Sequence, residues 1–90
     1  MRAGYRVEFE KRAQKTLKKM DKHQAHIIMG WIQKNLVNGT NPRQYGKGLT
    51  GRRAGAWRYR VGDYRLIADI NDKTVTILIL EIGHRKDIYK

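Results

Sequence analysis

Ala56-Trp57-Arg58-Tyr59-Arg60-Val61, then Gly62-Asp63, then Tyr64-Arg65-Leu66-Ile67-Ala68-Asp69-Ile70, then Asn71-Asp72-Lys73, then Thr74-Val75-Thr76-Ile77-Leu78-Ile79-Leu80: this stretch decides the fold. Three runs rich in β-branched and aromatic residues are separated by two short turn signals, the pattern of a three-stranded antiparallel meander. Gly62-Asp63 fits a two-residue hairpin loop, since glycine supplies a positive φ without a Cβ clash. That loop length sets a register with Val61 opposite Tyr64, Arg60 opposite Arg65, Tyr59 opposite Leu66 and Arg58 opposite Ile67. Side chains alternate between the faces of a strand. One face therefore carries Trp57, Tyr59, Val61, Tyr64, Leu66, Ala68 and Ile70, a core face. The other carries Arg58, Arg60 and Arg65. Like charges directly opposite on a sheet destabilise it. The facing arginines therefore require an anionic third party, unless they splay into water or pair with Asp69 or Glu81.

Upstream, Tyr5, Val7 and Phe9 alternate with Arg6 and Glu8, which predicts a short first strand. A helix follows over about 10–20, with Ala13, Leu17 and Met20 as its apolar stripe. Lys11, Lys15, Lys18, Lys19 and Lys22 line its outer side, as a solvated face or as a footprint for an anionic partner. Asp21 is placed to cap a second helix over about 22–37. Its stripe is Ile28, Trp31, Ile32 and Leu36, widened by Ile27, and Asn38-Gly39 ends it. The short connection predicts an antiparallel helical hairpin.

From Gly39 to Gly55 the periodicity stops, and the segment carries Arg43, Lys47, Arg52 and Arg53. Gly46, Gly48 and Gly51 spell G-x-G-x-x-G, but a strand follows where a dinucleotide site needs a helix. The last strand, expected over about 74–82 and ended by Gly83, is apolar on both faces. It therefore belongs in the sheet interior. The fold class is α+β: β-α-α-β-β-β, a single domain over 1–90 with one mainly antiparallel sheet and helices packed on one face.

Twenty Lys and Arg stand against eight Asp and Glu, a formal charge of +12. Such a field attracts polyanions, nucleic acid foremost, with an acidic protein as the other candidate. No long basic amphipathic helix carries a dense aromatic face, so a membrane surface is disfavoured. The chain has neither cysteine nor serine, which excludes disulfides, thiolate nucleophiles and serine-centred hydrolases. His23 and His26 lack the partners of a metal site, so neither metal nor cofactor is expected. The N-terminus lacks the apolar stretch of a signal peptide, and no run is long enough to span a bilayer. A cytoplasmic protein is expected.

In the meander the end of the last strand returns beside Gly62-Asp63. Arg60, Arg65, His84 and Arg85 should gather there, with Tyr89 four residues beyond Arg85. Guanidinium forks match phosphate oxygens, and a phenol stacks on a base or moves a proton. RNA cleavage by a 2′-hydroxyl needs such parts. Arg65 and Arg85 suit charge stabilisation, and Tyr89 or His84 the proton transfers.

Three motifs carry a family resemblance: Gly46-Lys47-Gly48-Leu49 with Gly51; Trp57-Arg58-Tyr59-Arg60-Val61-Gly62-Asp63-Tyr64-Arg65; and Gly83-His84-Arg85 with Ile88-Tyr89. With the element order, they resemble the RelE/ParE superfamily of bacterial toxin–antitoxin toxins, RelE-like branch, over nearly the whole chain. The resemblance implies a ribosome-dependent endoribonuclease that cuts mRNA in the ribosomal A site, without metal, by 2′-hydroxyl attack. It implies a cognate RelB-like antitoxin, acidic in character, and operator DNA bound by the pair. By position, Arg65, Arg85 and Tyr89 match the family's catalytic residues. Arg58 and Arg60 match basic strand positions that are lysines in well-studied members, with Lys47, Arg52 and Arg53 as further RNA contacts. Arginine is a poor proton donor, so His84 is the candidate for protonating the leaving group. The other readings are a ParE-like inhibitor of DNA gyrase and a non-catalytic RNA-binding protein.

Overall fold

The structure, a computed structural model, describes residues 4–84. Its elements run β1 (Arg6–Phe9), α1 (Lys11–Lys19), α2 (Lys22–Ile32), β2 (Lys47–Gly48), β3 (Trp57–Val61), β4 (Tyr64–Asn71) and β5 (Thr76–His84). The five strands form one sheet in the order β1-β5-β4-β3-β2. Only β1 against β5 is parallel. The expected α+β architecture is present, with one strand more than the sequence pattern indicated. That strand, β2, has two residues, too few to display a period.

The Gly62-Asp63 hairpin has the register set by its loop: Val61 faces Tyr64, Arg60 faces Arg65, Tyr59 faces Leu66 and Arg58 faces Ile67. Gly62 takes φ +61°, as the tight turn requires. β5 lies between β1 and β4, which explains why it is apolar on both faces. It does not stop at Gly83. It continues to His84, because ladder hydrogen bonds need no side chain and Gly83 still pairs with Arg65. A bulge interrupts the β4–β5 ladder: Ile67 faces Glu81 while Ala68 faces Ile79, leaving Leu80 as the extra residue.

The core lies between the helices and one sheet face. Ala13, Ile28, Ile32, Leu36, Tyr59, Leu66, Ile77 and Ile79 are almost wholly buried in it. Asp21 caps α2, accepting hydrogen bonds from the backbone N–H of His23 and Gln24 at 3.1 and 3.2 Å. The second helix is regular to Ile32 and then widens into a π-helical turn, Gln33–Val37, which keeps Leu36 pointing inward. Ile27 does not join the stripe. It is exposed, since residue 27 lies one position, about 100° of helical rotation, from the buried Ile28.

Candidate functional site

Alternation along the strands places Arg58, Arg60 and Arg65 on the face turned away from the helices. β2 adds Lys47 to the same row, directly opposite Arg58. The row thus crosses three strands: Lys47 beside Arg58, Arg60 beside Arg65, and Arg65 beside Gly83. Lys47 and Arg60 are exposed and Arg58 is half-buried. Arg65 is only 2% exposed, a guanidinium inside the protein. Gly46, Lys47, Arg58 and Arg60 line a shallow cleft of about 180 Å³. Glycine is required at position 46: the backbone has φ +77°, and a Cβ would collide with the carbonyl oxygen of Arg58.

Hydrogen bonds around the loop before β2 hold the cleft's outer wall. The Trp57 indole Nε1–H donates to the carbonyl of Tyr45 at 2.7 Å, and the buried Tyr59 hydroxyl donates to the carbonyl of Pro42 at 2.6 Å. Burial pushes the Tyr59 phenol well above its ordinary range, so it remains a donor at any physiological pH. Arg43 forks onto Asp72 with bonds of 3.0 and 3.1 Å, and the Tyr5 hydroxyl donates to the same carboxylate at 2.7 Å. The Arg43 bond, followed by the Tyr5 bond, holds the Asp72 carboxyl below its ordinary value.

Arg52 and Arg53 lie in a 3₁₀ turn, Gly51–Arg53, ahead of β3. Arg53 reaches across to Glu81 at 2.7 Å, and Arg12 of α1 approaches the same carboxylate at 3.8 Å. Glu81 is one of the two carboxylates expected near the facing arginines. Its carboxylate meets Arg53 and Arg12, next to the Leu80 bulge of β5.

His84 reaches the expected end of the sheet but the opposite face from Arg60 and Arg65. It pairs with Tyr64, whose ring packs on the core, and the two rings meet edge to face with centroids 5.4 Å apart. Directly paired residues share a face, so one step along the strand from Gly83 takes His84 to the helix side. There it joins Thr16, Lys19, Met20 and Tyr64 around a groove of about 400 Å³. Arg85 and Tyr89 lie outside the described residues. Among the described residues, no three His, Cys, Asp or Glu side chains gather in a way that would hold a metal ion. Among them also, no helix is long and apolar enough to cross a membrane. Sequence reasoning missed Glu81 as the counter-ion of Arg53, a contact beside a bulge that no local pattern announces. Gly46 it noted within motifs, without its close approach to the Arg58 backbone.

A charged row built on strands, with two helices backing the other face, defines a small basic α+β protein whose distinctive surface is a sheet face. A family model described as the ParE toxin of the type II toxin-antitoxin system, parDE, matches residues 7–89. The chain is 33% identical over 86 residues to the toxin RelG of Mycobacterium tuberculosis, spanning 96% of this chain and 97% of that protein. Among solved structures it resembles the toxin-antitoxin complex RelBE2 of M. tuberculosis, with TM-score 0.83, 29% identity, and coverage of 94% of this chain and 95% of that one. It also resembles the RelE-RelB complex of Pyrococcus horikoshii, with TM-score 0.67, 26% identity, and coverage of 90% and 94%. The chain belongs to the RelE/ParE superfamily and is a toxin of a type II toxin–antitoxin system, of the RelE family.

Proposed function

We propose that the protein is a ribosome-dependent endoribonuclease that cuts mRNA in the A site by attack of a 2′-hydroxyl on the adjacent phosphate, without metal. The observation that best supports this reading is the row of Lys47, Arg58, Arg60 and Arg65 on one sheet face. Lys47, Arg58 and Arg60, with Arg52 and Arg53 nearby, follow the RNA backbone and contact ribosomal RNA. Arg65 and Arg85 stabilise the charge that builds on the phosphate, a contribution that is often the largest in catalysis. Tyr89 takes the 2′-hydroxyl proton. An ordinary tyrosine has a pKa of about 10, so this role needs cationic neighbours to work near neutral pH. His84 returns a proton to the leaving 5′-oxygen, which requires the RNA to pass over the end of β5, since His84 faces the helix side. Arg65 is almost wholly covered, so a phosphate reaches it only when the atoms over it move aside.

The proposed setting is the cytoplasm, and the proposed antagonist is an acidic, RelB-like antitoxin drawn to the exposed lysines of α1. The toxin–antitoxin pair then binds operator DNA. The ParE description of the matching family model favours a second reading, a DNA gyrase inhibitor that needs no nuclease residues.

Cleavage of a defined mRNA, with and without ribosomes, distinguishes these readings. The expected result is a ribosome-dependent cut at one A-site codon, blocked by a 2′-deoxy nucleotide at the scissile position. Arg65→Ala should slow it by about 10²–10³-fold, the size of one lost oxyanion contact, and Tyr89→Phe should remove the base. No cut under any condition, together with inhibition of gyrase supercoiling, would replace this reading with the second.

A further inference from the structure

The helix-free face carries a second cleft, larger than the first. It has a volume of about 420 Å³ and opens between the chain segment 52–56 and strands β4 and β5. Its floor is apolar, formed by Ile67, which is 1% exposed, with Leu80 and Ala56. Its rim is polar, formed by Arg52, Arg53 and Asp69. The ion pair from Arg53 to Glu81 fixes one wall. Arg52 and Asp69 are exposed and make no hydrogen bond or ion pair among the described residues. Ile67 of the floor is the direct cross-strand neighbour of Arg58, which lines the basic cleft. The two clefts therefore meet at one residue pair, a cross-strand distance of about 5 Å.

Resting on the RNA reading above, we infer that this cleft is a nucleobase subsite, and that its preferred occupant is guanine in a nucleotide flanking those whose phosphates lie on Arg58 and Arg60. Single-stranded RNA is read by splaying a base onto an apolar or guanidinium surface and bonding its edges. A flat base has the shape of a slot floored by Ile67 and Leu80. Guanine presents O6 and N7 as acceptors on one edge, which match an arginine fork. Its N1–H and N2–H₂ donors lie on the next edge and match the two oxygens of one carboxylate. Arg52 and Asp69 supply that fork and that carboxylate. Uracil has a single ring N–H between two carbonyl oxygens, and those oxygens repel Asp69. Adenine and cytosine each place a ring acceptor beside their amine, so a carboxylate gains one bond and meets one repulsion.

The test is an NMR titration of the ¹⁵N-labelled full chain with GMP, UMP and inorganic phosphate, on the wild type and Asp69→Asn. Asp69 is exposed, so the variant should melt like the wild type. GMP is expected to shift the amides of Ala56, Ile67, Asp69 and Leu80 in addition to those of Lys47 and Arg58, whereas phosphate should shift only the latter two. UMP should bind the cleft at least about fivefold more weakly than GMP, and Asp69→Asn should weaken GMP by a similar factor without affecting phosphate. GMP shifts confined to the residues that phosphate also moves, or GMP affinity unchanged in Asp69→Asn, would overturn the subsite and leave the RNA reading standing. If GMP, UMP and phosphate leave the amides of both clefts unmoved, the subsite is overturned, and the ribosome cleavage assay decides the RNA reading separately.

Discussion

The two faces of the sheet differ in what they bury. On the helix side Tyr59, Leu66 and Ala68 pack against Ala13, Ile28 and Ile32, a dry core of apolar groups with one phenol that donates to a carbonyl. On the reverse side the same two strands bury Arg65 and Ile67 among exposed cations. Apolar burial lowers the free energy in proportion to area. Burying a guanidinium costs energy unless it is matched by other interactions. The first face accounts for stability. The second buries a cation where the first buries only neutral groups, and the proposed activity is the place to look for its reason.

The largest effect separating the faces should come from Leu66→Ala against Arg60→Ala. Leu66 is fully buried, so its truncation should cost about 2–5 kcal/mol in urea unfolding. Arg60 is exposed, so its loss should change stability by less than about 0.5 kcal/mol while weakening RNA binding and flattening its salt dependence. Equal destabilisation by both would erase the distinction. A smaller effect should come from Tyr59→Phe, which leaves the Pro42 carbonyl without its donor inside the protein. The expected cost is about 1–3 kcal/mol, with cleavage impaired only as far as the loop before β2 loosens.

The smallest effect concerns the far end of the sheet. Asp72 is held below its ordinary value of 3.8 by Arg43 and then Tyr5. A depressed carboxyl contributes stability that is fully present above the unfolded value and is lost as pH falls through the folded one. Asp72→Asn should therefore lower the melting temperature slightly at pH 7, with the two proteins converging once the pH is well below 3.8. An unchanged gap at acid pH would show that Asp72 acts through packing instead.

Much of this division was legible in the sequence because a two-residue loop sets the β3–β4 register, and register assigns faces. Tyr59 and Leu66 on one side, and Arg60 opposite Arg65 on the other, follow from Gly62-Asp63 alone. What escaped depends on distant contacts. β2 exists only because Lys47 meets Arg58. Glu81 meets Arg53 next to the bulge at Leu80. His84 faces the helices because β5 runs one residue past Gly83, a glycine that reads as a stop. Ile27 shows the same limit in a helix: a hydrophobic residue beside the stripe need not be in it. The proposed roles of Arg58, Arg65 and His84 stand on chemistry and position, and the cleavage assay decides them.

The pairing of β1 with β5 joins Arg6 to Thr76 and Phe9 to Ile79, bringing together segments 70 residues apart. β5 also supplies Ile77, Ile79 and Ile82 to the core and sits between β1 and β4. During synthesis, therefore, the first strand and both helices emerge with no completed sheet to pack on. A nascent chain ending before Thr76 has no partner for β1 and no interior strand. Contacts of such long sequence separation form late and slow folding. Translation thus delivers the interior strand only after the other four, and a partly made copy lacks the strand that joins β1 to the rest of the sheet.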